Sequence, residues 1–156
     1  MDKHALKKFL IACNKAGYAG GEEKKWIKER DGSTTIPFKL GDCESHDNFF
    51  GGEPYGGRTV VSYKGKPVWI MVYYGWVAEG IQTDPVYKIL RGALMRMPED
   101  TPFRGPKQYT EGTLTYDNKW IGDVDRFSGE ERITESEKLI YKANYMGGWV
   151  DKRGGV

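Results

Sequence analysis

Two glutamate residues end similar short motifs and could supply a pair of carboxyl groups. Glu53 ends the segment FGGE (residues 50–53), and Glu130 ends the segment FSGE (residues 127–130). Two carboxylates among aromatic rings suit a cationic or sugar-like ligand, because ring faces attract cations. They could also act as an acid and base pair. The structural alternative is that the phenylalanine packs in the core, the glycine forms a bulge and the glutamate pairs with a nearby base.

Aromatic residues and one arginine complete this candidate ligand groove. Trp69, Tyr74 and Tyr145 lie in segments rich in β-branched and aromatic residues. Arg104 and Tyr109 follow the second predicted helix in a short loop. An arginine in such a loop could bind a carboxylate or phosphate through two parallel hydrogen bonds, or it could tie the loop to a nearby acid.

Two further clusters have spacings that are not specific to one chemistry. Cys43 and His46, within GDCESHD, could form a nucleophile and base, or half of a metal site. A structural zinc site needs four ligands, and a solvated acidic loop is the alternative. Basic residues surround Trp26 in EEKKWIKER (residues 22–30), an arrangement that can hold nucleic acid, but the interleaved glutamates favour a solvated segment.

Composition limits the classes of function. The 156 residues suit one domain, residues 1–156, and the formal net charge of +2 argues against a dedicated nucleic-acid partner. No apolar run is long enough to span a membrane, so no membrane partner is expected. Two cysteines indicate a reduced, cytoplasmic protein. The phosphate-loop, dinucleotide-binding, serine-elbow and zinc-protease motifs are all missing, so no cofactor and no metal is predicted.

The apolar spacing predicts two helices and three hairpins. The helices are residues 3–16, capped by Asp2, and a segment that starts at Asp84 and stops at Pro98. The 21 glycines suggest short strands joined by tight turns. The hairpins are expected to turn at residues 64–66, at residues 117–118 and near residues 135–137.

The two halves of the chain share an order of motifs. KPVWIMVYYGWV resembles KLIYKANYMGGWV, so residues 3–77 and 84–150 are interpreted as an internal repeat. The predicted fold is therefore α+β: an antiparallel sheet with two helices on one face and pseudo-twofold duplicated halves. Residues 67–74 are apolar on both sides of the strand, so loops, a dimer partner or a ligand must cover the second face.

Several segments together resemble a small prokaryotic family of unknown function. They are FGGEPYGGRTVVSYKGKPVWIMVYYG, FRGPKQYTEGTLTYDN, FSGEERI and IYKANYMGG. Members of that family occur free-standing or behind Xre-type helix-turn-helix regulators. The resemblance implies no reaction, cofactor or catalytic residue. The single N-terminal helix cannot form a helix-turn-helix, so a regulatory role would require a partner that binds DNA.

The main hypothesis is a non-catalytic module that binds a small molecule in an aromatic groove with acidic residues. The expected binding residues are Glu53, Trp69, Tyr74, Arg104, Tyr109, Glu130 and Tyr145. Tyr55 and Arg58 are added because they lie in PYGGR, which the second half lacks. One alternative is a small enzyme that uses the paired glutamates. The other is a homodimerisation domain that uses its aromatic face.

Overall fold

The computed structural model describes residues 1–19 and 26–153. In these residues the chain forms two helices and one antiparallel sheet of nine strands, in the order β1-β2-β3-β4-β5-β9-β8-β7-β6. The elements, in chain order, are α1 (Lys3–Ala19), β1 (Ile27–Lys28), β2 (Thr34–Leu40), β3 (Cys43–Phe50), β4 (Tyr55–Tyr63), β5 (Lys66–Val77), α2 (Thr83–Leu94), β6 (Gln108–Glu111), β7 (Leu114–Asp123), β8 (Arg126–Glu135) and β9 (Lys138–Trp149).

Both predicted helices are present, with different boundaries. In α1 the Oδ1 atom of Asp2 accepts the backbone N–H of Ala5 at 2.8 Å, which is the expected cap. The apolar stripe of α2 is buried as predicted, but the helix ends at Leu94, before Pro98. Asp84 lies in the first turn of α2 rather than at the N-cap, where its charge still favours the helix dipole.

Two of the three hairpin turns lie where the sequence predicts them. Lys64 and Gly65 join β4 to β5, and residues 136–137 join β8 to β9. The turn predicted at residues 117–118 is wrong, because β7 runs through it and Asn118 is buried. The amide of Asn118 donates to the carbonyl of Gly105 at 2.9 Å, a tertiary contact that overrides the local turn preference of Asp-Asn.

The predicted α+β class is wrong, since the chain is 19% helical and 51% strand and has a mainly-β fold. The helices do not form a layer that matches the sheet. The α1 helix contacts β2 at one side, and α2 contacts β6 and β7 at the other. One reason for the wrong class is that residues 41–47 were interpreted as an acidic loop, although residues 43–50 form β3.

The sheet has one face packed against the helices and one face that is open among the described residues. On the covered face, Trp69 and Met71 of β5 are buried with Leu6 of α1 in one hydrophobic cluster. On the open face, Val72 and Tyr74 of β5 are 41% and 56% exposed. The central position predicted for β5 is therefore observed, but its second apolar face is uncovered in this part of the chain.

The two FxGE motifs occupy different structural positions. Residues 51–54 connect β3 to β4, whereas residues 127–130 lie inside β8. The similarity of these motifs therefore does not place Glu53 and Glu130 at corresponding points of the sheet. The internal repeat of residues 3–77 and 84–150 stays a prediction.

Candidate ligand-binding cleft

A cleft of about 570 Å³ lies between α1, the end of α2 and the covered face of the sheet. Its lining is mainly apolar and comes from all three elements. The apolar side chains include Leu10, Phe38, Trp69, Met71, Leu94 and Phe103. The polar side chains that also line it include Asp47, Thr59 and Arg104. An apolar cavity with a few convergent polar groups is the usual form of a small-molecule site.

Asp47 of β3 presents one carboxylate oxygen that has no partner among the described residues. Its Oδ1 atom accepts the hydroxyl of Tyr73 at 2.6 Å and the hydroxyl of Thr59 at 3.1 Å. Within residues 1–19 and 26–153 no hydrogen bond reaches Oδ2. Burial raises the pKa of Asp47, while the two hydroxyl bonds and the nearby charge of Arg104 lower it in part.

Arg104 and Glu131 form a buried ion pair beside Asp47. The Nε and Nη2 atoms of Arg104 donate to Oε2 of Glu131 at 2.9 and 2.6 Å. Glu131 is fully buried, and its Oε1 atom accepts the hydroxyl of Tyr116 at 2.5 Å. Burial by itself would lower the pKa of Arg104, but Glu131 and the surrounding tyrosines raise it well above its usual value. The guanidinium therefore stays charged and is already used by Glu131.

Two tyrosines of the central strands cross over glycines to reach their partners. A Cβ atom on Gly57 would lie 2.7 Å from the Tyr73 hydroxyl, and one on Gly129 would lie 2.2 Å from Cζ of Tyr145. The Tyr145 ring leaves no room for a side chain at Gly129, and at Gly57 the carbonyl oxygen of Asn48, 2.5 Å from the Cβ position, excludes one together with Tyr73. Burial raises the pKa of both tyrosines, so their hydroxyls are neutral donors at physiological pH.

Comparison with known families gives one match. Residues 47–150 match the family described as Domain of unknown function (DUF5680). The chain belongs to that family. Neither the curated proteins nor the solved structures give a significant match. The matched segment contains Asp47, Tyr73, Arg104 and Glu131, so the polar side of the cleft lies inside the DUF5680 segment, whereas α1 precedes it.

The two glutamates of the predicted acid and base pair have separate partners. Glu53 accepts the backbone N–H of Val77 at 2.6 Å and the hydroxyl of Tyr87, at the end of β5 next to α2. Glu130 lies on the open face, where it accepts from Lys142 at 2.8 Å and from Arg132. These partners, first Lys142 and then Arg132, hold the pKa of Glu130 below its usual range. The DUF5680 segment does not bring these two carboxylates to one pocket.

The other predicted binding residues are distributed over four places. Arg104 and Trp69 line the cleft, although the Nε1 of Trp69 is committed to the carbonyl of Val124 at 2.7 Å. Tyr145 is buried, and its hydroxyl donates to Asn118 at 2.8 Å. Tyr74 lies on the open face. Tyr109 packs under the Arg96 guanidinium at 4.3 Å and donates to Glu111, outside the cleft.

The additional candidates also lie apart from the cleft. Tyr55 is in β4 and shares a hydrogen bond of 2.6 Å with the hydroxyl of Tyr141, while Arg58 is exposed. Cys43 and His46 belong to β3 rather than to a loop, and no group of three or more metal-ligating side chains occurs among the described residues. Of the basic cluster around Trp26, residues 22–25 lie outside the described residues. Neither described helix is long and apolar enough to cross a bilayer.

Sequence reasoning missed Asp47, which lines the cleft, and Glu131, which binds Arg104. Asp47 was assigned to a solvated acidic loop, and Glu131 was not considered. A signal for Glu131 was present, because it follows Phe127 and Gly129 and precedes Ile133 in strict alternation. An acid in phase with buried positions of a strand points inward. On β3, Asp47 alternates in the same way with Ser45 and Phe49, so these three side chains lie on one face of the strand.

Proposed function

We propose that this domain is a non-catalytic module that binds a small molecule in the cleft between the helices and the sheet. The observation that carries the proposal is the Oδ2 atom of Asp47, which has no partner in the described chain and belongs to a residue that lines an apolar cavity. The cavity of about 570 Å³ falls in the range of small-ligand pockets. This oxygen keeps solvent access and accepts no protein hydrogen bond among the described residues, so it is available to a donor group of a ligand.

The chemistry around Asp47 favours binding over acid and base catalysis. Tyr73 lies next to the carboxylate, but burial raises its pKa, so it donates a hydrogen bond and does not remove protons. Arg104 is held by Glu131 in a fixed geometry. Glu53 and Glu130, which an enzyme of the predicted type would use, belong to different parts of the molecule.

Binding of this kind suits a sensory role. The resemblance to domains that occur behind Xre-type regulators favours ligand sensing linked to transcription, with DNA contacted by a separate partner. The position of the cleft supports this proposal, since α1 and α2 each form part of its wall. If the two helices move relative to each other, a ligand that contacts both binds the two arrangements with different affinities. This difference in affinity is what lets a ligand shift a conformational equilibrium.

The test is a fragment screen of the whole chain by NMR, followed by a blocked variant. We expect bound fragments to shift the methyl signals of Met71 and Met97, which line the cleft. Leu94→Trp should abolish this binding because the indole fills the cavity. Met95→Trp is the matched control, since the adjacent Met95 is 61% exposed and does not line the cleft. Hits that shift only signals outside the cleft, or that bind the blocked variant equally, would overturn the proposal.

A second candidate function is homodimerisation through the open face. Four apolar side chains, Val72, Tyr74, Ile121 and Met146, are 41–75% exposed there, and Val72 lies opposite Met146 in the sheet. Contiguous exposed apolar residues commonly mark protein interfaces. Sedimentation over a concentration series should then show a dimer that Met146→Glu dissociates. A monomer at all concentrations would eliminate this candidate and leave the cleft unaffected.

A further inference from the structure

The buried charges next to the cleft do not balance. Three charged side chains lie together: Asp47, Arg104 and Glu131. Arg104 directs both Nε and Nη2 at Glu131, so these two charges neutralise each other. The carboxylate of Asp47 is left with hydroxyl donors only, and one of its oxygens accepts nothing within the described residues. Asp47 is half-buried and this oxygen is still accessible, so it can receive a positive group of a ligand.

The charge of Asp47 is not needed to hold its tyrosine. Asn118 occupies the corresponding place on the other side of the central strands, and its Oδ1 atom accepts the hydroxyl of Tyr145 at 2.8 Å. The amide of Asn118 accepts a tyrosine hydroxyl just as Oδ1 of Asp47 accepts the hydroxyl of Tyr73 at 2.6 Å. An ionisable group where a neutral one suffices costs stability, and such residues are retained at functional sites.

The rest of the cleft sets the form of the ligand. Trp69, Met71 and Phe103 supply apolar surface next to Asp47, so the body of the ligand is apolar. Arg91 also lines the cleft, on α2, and is exposed to solvent. The carboxylate of Asp47 is the acidic side chain of the lining, so a positive group of the ligand would lie next to it.

We infer that the cleft selects an amphipathic cation, an apolar body with a protonated amine that donates to Oδ2 of Asp47. This inference rests on the proposed function. It specifies the chemical class of the ligand, which cleft binding alone leaves open. A hydrogen bond between charged groups strengthens binding by about tenfold or more over a neutral one.

The test compares three probes with one apolar body and different head groups. They are naphthalene carrying an aminomethyl, a hydroxymethyl or a carboxylate group, each titrated by calorimetry against the whole chain. We expect the amine to bind about tenfold tighter than the alcohol, and the carboxylate to bind least. Asp47→Asn should reduce the amine to the affinity of the alcohol and leave the alcohol unchanged. Asn118→Asp is a matched control on the other side of the central strands and should not create a preference for the amine in the cleft.

The outcomes separate this inference from the function on which it rests. If the carboxylate or the alcohol binds as tightly as the amine, and Leu94→Trp abolishes that binding, the cleft is a ligand site and the inference about charge is wrong. If the amine preference survives Asp47→Asn, the inference is also overturned. If none of the probes binds while the fragment screen finds neutral cleft ligands, the proposed function is kept and the inference that the ligand is a cation is wrong.

Discussion

Tyr73 and Tyr145 lie directly opposite each other where β5 pairs with β9. On the same face of the sheet, their side chains extend in opposite directions, toward β3 and β7 respectively. Tyr73 crosses β4 to reach Asp47 on β3, and Tyr145 crosses β8 to reach Asn118 on β7. Each ring passes over a glycine of the strand between. The two arrangements share geometry and differ in one respect, since one acceptor is a carboxylate that lines the cleft and the other is a buried amide.

This difference predicts unequal costs for removing the two hydroxyls. Tyr73→Phe should lower the free energy of unfolding by about 2 kcal/mol, because it takes a donor from a charged acceptor. Tyr145→Phe should cost about 1 kcal/mol, because its acceptor is neutral. Urea denaturation of both variants at pH 7 provides the measurement. Equal losses would show that Asp47 is not ionised in the folded protein.

Asp47→Asn should stabilise the fold at neutral pH by on the order of 1 kcal/mol while it removes the preference of the cleft for an amine. The pKa of Asp47 is raised in the folded state, so the folded protein binds this proton more tightly than the unfolded chain does. Below the unfolded pKa of about 4, the native carboxyl therefore does not reduce the free energy of unfolding. It lowers that free energy as the pH rises from there through the raised pKa of the folded state. The advantage of the variant should accordingly be small in acid and full at pH 7.

The measurement is the difference in unfolding free energy between Asp47→Asn and the native chain across this pH range, because other carboxyls cancel in the difference. Asn118→Ala is a useful comparison, since it removes two buried hydrogen bonds and should destabilise at every pH. A native chain that is more stable than Asp47→Asn at pH 7 would contradict the prediction.

Glu131→Gln should lower the free energy of unfolding by about 3 kcal/mol, because it leaves the Arg104 charge buried without its counter-ion. Replacing both residues by leucine should cost about 2 kcal/mol less than the sum of the two single leucine variants. Thermal and urea unfolding of the native chain, the two single leucine variants and the double leucine variant give this double-mutant cycle. Additive losses would mean that Arg104 and Glu131 do not interact in solution.

Gly129→Ala should destabilise by about 3 kcal/mol, since the new methyl group would collide with the Tyr145 ring, which its neighbours hold in place. Gly52→Ala is the control, because nothing lies within 4 Å of the Cβ position there. It should change stability by less than about 0.5 kcal/mol. Comparable losses in the two variants would indicate that backbone freedom, and not the Tyr145 ring, requires the glycine.

Local patterns were sufficient to predict both helices and most of the central sheet. The stripes of α1 and α2 and the hairpin of β4 and β5 depend on spacing and turn residues, which the sequence displays directly. The acidic segment that begins β3 was interpreted as a loop because acids and a hydroxyl residue interrupt its alternation. The turn predicted at residues 117–118 was wrong because Asn118 is used by partners distant in sequence.

The candidate site was harder to predict because it is formed by tertiary pairing. Arg104 was interpreted as an arginine that either binds a ligand or ties its loop to an acid, and in the structure it pairs with Glu131. Asp47 lies on β3, which is separated from the central strand β5 by β4. Its proximity to Arg104 therefore depends on the pairing of strands and cannot be read from local sequence. The similarity of the FGGE and FSGE segments misled the analysis, since short motifs recur without sharing a structural position.

The pairing of β5 with β9 also has a consequence for synthesis on the ribosome. The strand β5 needs a neighbour on each side, but β9 is the last strand of the sheet to be translated. Until then the nascent chain carries β5 with one bare edge, along an apolar segment that includes Val68, Ile70 and Val72. Unpaired apolar strand edges recruit other chains, so translation pauses before residue 138 should increase co-translational aggregation and dependence on chaperones.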